Sequence, residues 1–195
     1  MKTKKLVMAA LLGALAAILM VLDFNVPFVP MFIKFDFSDF PVLIGGFVFG
    51  PLTGVLIAFL KIVLNLLFKP TTTMFVGEAS NFLLSVCYMG VACLYYRKHR
   101  TKKGAVIGMA LATVATSLFA IASNLLVMFP MYAKLFGMST EAIIGMFSKI
   151  NPLVKDMTTM VIASLVPFNL FKYGVISITF ISYKKIEVIL KKYSN

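Results

Sequence analysis

Charged residues are scarce in this chain. Only 13% of its 195 residues are charged, whereas 61% are hydrophobic, and the mean hydropathy is +0.97. A water-soluble domain of this size does not need so many apolar residues to fill its core. The composition therefore excludes a soluble globular protein and predicts an integral membrane protein.

Histidine and cysteine are too rare to build the usual metal or redox sites. Cys87 and Cys93 are six residues apart on one predicted helix, so they cannot form a disulfide with each other and lack metal-ligand spacing. We interpret them as packing residues, and His99, the one histidine, as a solvated loop residue. The motifs of phosphate-binding loops, zinc proteases and serine hydrolases are also missing, so we predict no enzyme, no cofactor and no metal site.

Acidic residues number only seven, against nineteen lysines and arginines, and the formal net charge is +12. Such an excess could indicate a nucleic-acid-binding surface. The basic residues, however, flank apolar runs and do not form a stripe interleaved with aromatic residues. The membrane therefore explains the excess, and we predict no nucleic-acid partner.

Long apolar runs are what the chain does contain, and they predict an all-α membrane protein, a bundle of six transmembrane helices. About 20 residues of helix cross roughly 30 Å of hydrocarbon, and the alternation typical of an outer-membrane barrel is absent. One membrane domain is predicted over residues 1–195, with a short second span and a short surface helix over 140–147 inside a loop over 133–152. The predicted spans cover 6–22, 40–49, 52–68, 77–96, 104–128 and 156–183.

The positions of the basic residues predict the orientation. Six crossings put both termini and the loop before the fifth helix on one side, which carries twelve of the nineteen basic residues. The positive-inside rule makes that side cytoplasmic, so we expect a multi-pass protein of the cell membrane with both termini inside. Six of the seven acidic residues then lie outside or near the outer ends, and only Glu187 lies inside. The functional polar groups are therefore expected at the outer face.

Polar side chains occur in a few places that would surround a ligand at the outer face. Two carboxylates precede the second helix. Placing a carboxylate near a bilayer costs a few kcal/mol unless the group is solvated, paired with a cation or bound to a ligand. Lys61 lies in the middle of a span and is a candidate functional residue for the same reason. Taken singly, such a polar residue could instead hydrogen-bond one helix to another. A lysine could also extend its alkyl chain so that the ammonium group reaches the membrane–water interface. The candidate ligand-binding residues are Asp36, Phe37, Ser38, Asp39, Glu78, Asn81, Asn124, Tyr132, Asn169 and Lys172.

Together these groups suit one kind of ligand better than others. Amides, hydroxyls, a lysine and many phenylalanines on one half of a bundle favour an uncharged, planar aromatic molecule with hydroxyls over a simple ion. Without a nucleotide site, a protein that only binds such a molecule would need a partner to supply energy. The residues by themselves leave the identity of the ligand open.

Small residues recur at intervals of four in the first helix, where Ala10 pairs with Ala14 and Gly13 with Ala17. Glycines at 46, 50 and 54 repeat the pattern. Small residues at this spacing let another helix approach closely. The sequence leaves two alternatives open, packing inside this bundle and docking on a partner protein.

Several motifs share one arrangement along nearly the whole chain. The most specific are Asp-Phe-Ser-Asp-Phe-Pro at 36–41 and Pro-Phe-Asn-x-x-Lys at 167–172, accompanied by Gly-Glu-x-x-Asn at 77–81 and Pro-x-Tyr at 130–132. In these motifs the chain resembles the riboflavin-binding S components of energy-coupling factor transporters. The resemblance implies a six-helix subunit that captures riboflavin at the outer face, docks on a transmembrane coupling subunit, and releases the vitamin inward when two cytoplasmic ATPase subunits work.

The resemblance also implies roles for individual residues. The isoalloxazine ring would lie between apolar walls, with Asn81 and Asn124 at its uracil-like edge, and the ribityl hydroxyls would bond to Asn169 and Lys172. The proline-containing loop over 23–40 would act as a lid, and the small residues of the first helix would form the docking face. Two alternatives remain, an S component for another vitamin and a self-sufficient secondary transporter, although the inverted repeats expected of the latter are not seen.

Overall fold

The computed structural model describes residues 2–29, 33–137 and 139–182. Within these ranges the chain is a bundle of helices with one small β-hairpin, which confirms the predicted fold class. Five helical segments there are long and apolar enough to cross a membrane, and a sixth, Asp39–Phe49, is shorter. The short second span predicted from the sequence is therefore present.

Two pairs of helices are joined end to end by π-helical turns, Asn124–Met128 and Val161–Leu165, and so form two long rods. The strands β1, Phe24–Asn25, and β2, Lys34–Phe35, pair antiparallel. The α-helices of the described ranges are α1 Lys2–Val21, α2 Asp39–Phe49, α3 Pro51–Phe68, α4 Val76–Lys98, α5 Lys102–Ser123, α6 Phe129–Phe136, α7 Thr140–Ser148, α8 Met157–Met160 and α9 Val166–Ser182.

Local chemistry explains where several helices begin. Pro51 is the first residue of α3, a position where its missing N–H removes no helical hydrogen bond. Gly50 before it has φ +94°, which glycine adopts without strain, so α2 turns directly into α3. Thr101 caps α5 by accepting a hydrogen bond from the Gly104 N–H. The basic loop predicted over 97–103 is shorter than expected, because Arg97 and Lys98 end α4 and Lys102 and Lys103 begin α5.

The rod of α5 and α6 contains a π-helical turn that the sequence analysis did not predict. The Phe129 N–H donates to the carbonyl of Asn124, five residues earlier. Pro130, which follows, has no N–H, and the wider turn before it lets the helix continue past the proline. The predicted helix end at 128 and loop start at 133 are therefore wrong, because the helix runs to Phe136.

The rod of α8 and α9 has the same design around Pro167. The Val166 N–H donates to the carbonyl of Val161, again five residues earlier. Pro167 has no N–H for the carbonyl of Ala163, four residues before it, and Asn151 Nδ2 donates to that carbonyl at 3.1 Å. A side chain from outside the rod thus satisfies a backbone group for which the proline provides no partner.

The main apolar core lies where α2, α3, α4, α5 and α9 meet, with α1 packed along α3 and α4 along α5. Glycines bring α2 and α3 close to α4. A Cβ atom on Gly46 would lie 2.6 Å from Cys93 Sγ, and one on Gly54 would lie 2.5 Å from Met89 Sδ. Two of the three glycines in the predicted small-residue pattern therefore serve packing inside the bundle.

Two smaller apolar clusters lie at the end of the bundle that carries the hairpin. One joins α6, α7 and α8, where the rings of Phe129 and Phe147 meet edge to face with centroids 6.4 Å apart. The other packs the hairpin residue Phe35 and its neighbours against Phe168 of α9. These clusters hold the hairpin and the ends of the two rods around a cavity.

Candidate functional site

A cavity of about 160 Å³, called here the inner cavity, opens beneath the hairpin. Its walls come from β2, α4, the rod of α5 and α6, and the rod of α8 and α9. The structure brings five of the predicted ligand-binding residues together there. These are Asn81, Asn124, Tyr132, Asn169 and Lys172.

Two further cavities adjoin the inner cavity. The larger, about 440 Å³ and called here the vestibule, shares Lys34, Gly77 and Asn81 with it. The other, about 270 Å³, shares Phe129 and Tyr132. Ligand pockets in proteins occupy about 300 to 1,000 Å³. The inner cavity is smaller than that by itself, but together with its neighbours it reaches the size needed for a vitamin.

Two of the asparagines in the wall are held by their own helices. Asn124 Nδ2 donates to the carbonyl of Ala120 at 2.8 Å, and Asn169 Nδ2 donates to the carbonyl of Leu165 at the same distance. Each bond uses one amide hydrogen and fixes the plane of the amide. The amide oxygen and the second hydrogen have no other bond within the described ranges, so each side chain can both donate to and accept from a ligand.

Four buried side chains form the charge cluster: Asp36, Asp39, Lys61 and Lys172. Lys61 Nζ donates to Asp39 Oδ1 at 2.5 Å, to Ser38 Oγ at 2.9 Å and to Ser85 Oγ at 2.7 Å. These three bonds use all three ammonium hydrogens. Ser85 Oγ also donates to Asp39 Oδ1. Lys61 is therefore enclosed and fully bonded at the junction of α2, α3 and α4.

Lys172 occupies the other end of the charge cluster and lines the inner cavity. Its Nζ donates to Asp36 Oδ2 at 3.0 Å and forms an ion pair with Asp39 Oδ2 at 3.5 Å. Asp36 Oδ1 in turn accepts the backbone N–H of Ser38 at 2.8 Å, where the hairpin leads into α2. The formal charges of two lysines and two aspartates cancel, which lowers the free-energy cost of burying them in the membrane.

Two of the predicted ligand-binding residues, Ser38 and Asp39, face the inside of the bundle. Ser38 and Asp39 are 0% and 1% exposed, and both bond to Lys61. Neither lines the inner cavity. The physical reason is the buried ammonium group of Lys61, which needs acceptors at this depth. These two residues hold α2 against α3 and do not open onto the cavity.

The remaining predicted residues take other positions. Phe37 meets the ring of Phe35 edge to face, with centroids 5.0 Å apart, beside the hairpin. Glu78 lines the vestibule and accepts a hydrogen bond from the Thr73 hydroxyl at 2.8 Å. Asp36 lines the vestibule while also bonding Lys172. Asp36 therefore connects the vestibule to the inner cavity.

The predicted lid is a hairpin tied down at its base. Asp23 forms ion pairs with Lys34 of β2 at 3.3 Å and with Lys69, just after α3, at 2.9 Å. Lys34 also lines the inner cavity. Pro27 lies in the described part of this loop, whereas Pro30 lies outside the described residues. The position of the hairpin over the cavity fits a lid, and its role in closing the site stays a prediction.

Sequence reasoning missed the residues that complete the site. Ser85 gives no signal as a single serine in an apolar helix, although the mid-span Lys61 indicated that acceptors must lie near it. Phe168 and Tyr173 line the inner cavity. Tyr173 stacks on Tyr88 with ring centroids 4.5 Å apart. Aromatic residues are frequent throughout this chain, so their number alone could not mark these positions.

The small residues of α1 divide between two environments. Gly13 and Ala17 are buried, and a Cβ atom on Gly13 would lie 2.9 Å from Leu60 Cβ of α3. Ala10 and Ala14 are exposed. Packing inside the bundle therefore accounts for Gly13 and Ala17. Docking on a partner stays a prediction that only Ala10 and Ala14 are placed to fulfil.

Similarity to known proteins identifies the family of this chain. The family model described as "ECF transporter, substrate-specific component" matches residues 4–182. The riboflavin transporter RibU of Staphylococcus aureus (strain TCH60) is 30% identical over 192 residues, which are 98% of this chain and 94% of that protein. The riboflavin transporter FmnP of Bacillus subtilis (strain 168) is 29% identical, over 92% of this chain and 90% of that protein.

A solved structure is similar over nearly the whole chain. It is described as the S component of a bacterial ECF transporter, and it is 30% identical in sequence. The two structures superpose with a TM-score of 0.77, covering 98% of this chain and 99% of that one. The fold of this chain therefore has a counterpart among solved structures.

Proposed function

Because this chain belongs to the family of energy-coupling factor (ECF) transporter substrate-specific components, we propose that it binds riboflavin in the inner cavity and delivers it inward with an ECF module. The family membership confirms the resemblance found in the motifs. It makes the chain the substrate-binding subunit of a multi-pass membrane transporter and not an enzyme. The choice of riboflavin is supported by the relatives that are named riboflavin transporters.

The observation that carries the ligand assignment is the chemistry of the inner cavity. Three amides and two lysines, Lys34 and Lys172, surround it, and aromatic rings such as those of Phe129 and Phe168 form other parts of its wall. A flavin has a flat aromatic face, a uracil-like edge that both donates and accepts, and a chain of hydroxyls. We assign Asn81 and Asn124 to the edge of the ring, and Asn169 with Lys172 to the hydroxyls.

Titration of the purified chain with riboflavin in detergent tests this assignment. We expect saturable quenching of flavin fluorescence in the absence of ATP. Asn169→Ala should weaken binding by about 1 to 3 kcal/mol, because a buried polar group of the ligand loses its partner. Asn25→Ala is the control, since Asn25 is exposed on β1. Wild-type protein that does not quench the flavin would contradict the assignment, as would equal affinity in both variants.

We propose that a transmembrane coupling subunit docks on α1 at Ala10 and Ala14, and that two cytoplasmic ATPase subunits supply the energy. The two alanines are exposed. A helix can approach such small residues closely. Family membership supports a coupling module as partner, and this exposed stripe supports α1 as its contact.

Tryptophan substitutions on α1 test the docking proposal. Ala10→Trp and Ala14→Trp should fold and bind riboflavin normally but fail to support uptake in cells that contain the other subunits. Leu15→Trp is the matched control, because Leu15 is exposed but lies about 100° around the helix from Ala14. Loss of riboflavin binding in the alanine variants would show that these residues serve internal packing instead.

We also propose that both termini face the cytoplasm, on the basis of the basic residues around Thr101. Cysteines are introduced singly at Thr72 and Thr101 in a chain whose Cys87 and Cys93 are replaced by alanine. A membrane-impermeant thiol reagent should label the first variant in intact cells and the second only after permeabilisation. The opposite pattern would reverse the proposed topology.

A further inference from the structure

Lys172 is one of two lysines in the wall of the inner cavity, with Lys34, and it is the one that belongs to the buried charge cluster, where its charge is already compensated. Asp36 Oδ2 lies 3.0 Å from Nζ, and Asp39 Oδ2 lies 3.5 Å from it. Asp39 is in turn shared with Lys61. The charge cluster therefore holds two positive and two negative side chains, and its formal charge is zero.

A neutral cluster treats neutral and charged ligands differently. A ligand hydroxyl can accept the remaining hydrogen of the Lys172 ammonium group while both ion pairs stay intact. A phosphate monoester brings a charge of about −1.5 to −2 at pH 7. To compensate it, Lys172 would have to leave Asp36 and Asp39. A buried carboxylate without a partner is strongly unfavourable in a membrane protein.

We infer that Asp36 is a specificity-determining residue, which by neutralising Lys172 makes the inner cavity select riboflavin over its 5′-phosphate ester. The inference rests on the proposed function, with the ribityl chain directed toward Lys172. Asp36 is placed for this role because it both contacts Lys172 and lines the vestibule through which the end of a ligand would pass.

Another position beside the inner cavity could accept a phosphate. Lys34 and Lys69 share a single carboxylate, that of Asp23, at the base of the hairpin. This group carries one positive charge more than it has negative charges. A flavin bound in the reverse direction would place its phosphate there, so the experiment must distinguish the two ends of the site.

Variants that change the net charge of the charge cluster by one unit test the inference. The dissociation constants of riboflavin and of riboflavin 5′-phosphate are measured by fluorescence quenching in each protein. The wild-type chain should prefer riboflavin. Asp36→Asn should reduce that preference by about tenfold, which is the effect expected of one charged hydrogen-bond partner. Lys172→Gln should increase the preference. Lys34→Gln tests whether the phosphate binds instead at the base of the hairpin.

The possible outcomes separate the proposals. A preference that is unchanged in Asp36→Asn, with riboflavin still bound, overturns the inference. A preference that changes in Lys34→Gln and not in Asp36→Asn also overturns it and places the phosphate at the hairpin base. Wild-type protein that binds neither flavin overturns the proposed function as well, and so differs from a failure of this inference alone.

A measurement on the wild-type chain applies even where a variant fails to fold. The second pKa of a phosphate monoester is about 6. At pH 5 riboflavin 5′-phosphate carries one negative charge less than at pH 7.5, so the ratio of affinities in favour of riboflavin should be smaller at pH 5. An equal preference at both values overturns the inference. Riboflavin, which keeps its charge over this interval, is the internal control for titration of the surrounding groups Asp36, Asp39, Lys34, Lys61, Tyr132, Lys172 and Tyr173.

Discussion

Lys61 and Lys172 lie at the two ends of the same charge cluster, but their surroundings differ. Lys61 is enclosed by α2, α3 and α4, and its three hydrogens are all bonded to protein oxygens. Lys172 contacts two carboxylates and also lines the inner cavity. The same residue type therefore holds helices together at one end and lines a cavity at the other. A charge inside a membrane helix does not by itself mark a ligand.

The largest expected effect is at the enclosed end. Lys61→Met should lower the stability of the detergent-solubilised protein by about 3 to 5 kcal/mol, because it leaves the buried carboxylate of Asp39 without its main partner. Thermal unfolding monitored by circular dichroism measures the loss. Lys69→Met is the matched control, since its ion pair with Asp23 is partly exposed and is worth at most about 1 kcal/mol. Equal losses of stability in the two variants would contradict the proposed difference between buried and exposed lysines.

Lys172→Met tests the other end of the comparison and should act mainly on binding. We expect riboflavin affinity to fall by about 1 to 3 kcal/mol, because the ligand loses a charged donor. The loss of stability should be smaller than in Lys61→Met, because Asp39 keeps its main partner Lys61 and Asp36 Oδ1 keeps the backbone N–H of Ser38. Fluorescence titration and thermal unfolding of the same preparation separate the two quantities. A stability loss as large as that of Lys61→Met, with binding unchanged, would reverse the assignment of the two ends.

Ser85→Ala sharpens the comparison at the enclosed end. The substitution removes one of the three acceptors of Lys61 and should cost about 1 to 3 kcal/mol, less than removal of the ammonium group itself. Thermal unfolding is again the measurement. The ratio of affinities for riboflavin and its 5′-phosphate should stay at the wild-type value, because the charge of the cluster is unchanged. A shift in that ratio would show that the two ends do not act separately.

The smallest effect is expected at an exposed carboxylate, which extends the comparison to the surface. The backbone N–H of Thr159 donates to Asp156 and holds the pKa of that carboxyl below its usual range. A lowered folded-state pKa contributes stability above the unfolded value of about 3.9, and this contribution disappears as the pH falls through the folded value. Asp156→Ala should therefore unfold at a slightly lower temperature than wild type at pH 6. That difference should vanish in strong acid, and a difference that persists there would exclude the capping carboxylate as its cause.

Hydropathy was enough to predict that the long apolar spans exist, because crossing a bilayer needs about 20 apolar residues. It did not predict the end of the fifth span, because the helix continues past Pro130 to Phe136. It also singled out Lys61 as a residue that needs a partner. Its partner Asp39 could not be identified, because the two are 22 positions apart and meet only through the turn at Gly50. Sequence spacing also could not separate Gly13 from Ala14 on α1. Which of them is buried depends on where Leu60 of α3 packs.

The candidate site was predicted in part for similar reasons. Amides and a lysine in three apolar spans were recognisable, and five of the chosen residues do meet at the inner cavity. Ser38 and Asp39 were chosen by the same logic, yet they bond Lys61 inside the bundle. Polarity shows that a side chain needs a partner. It does not show whether that partner is a ligand or another helix.

The π-helical turn Asn124–Met128 has a consequence for how the family can diverge. Each residue of an α-helix changes the direction of the next by about 100°. Deletion of a single residue from this turn would restore the α-helical register and rotate the rest of the rod by that angle. Asn124 would keep its place, while Phe129 and Tyr132 would turn away from the cavity wall that they now line. A one-residue gap here in an alignment would therefore mark a homologue with a different binding site, even when every side chain in the site is conserved.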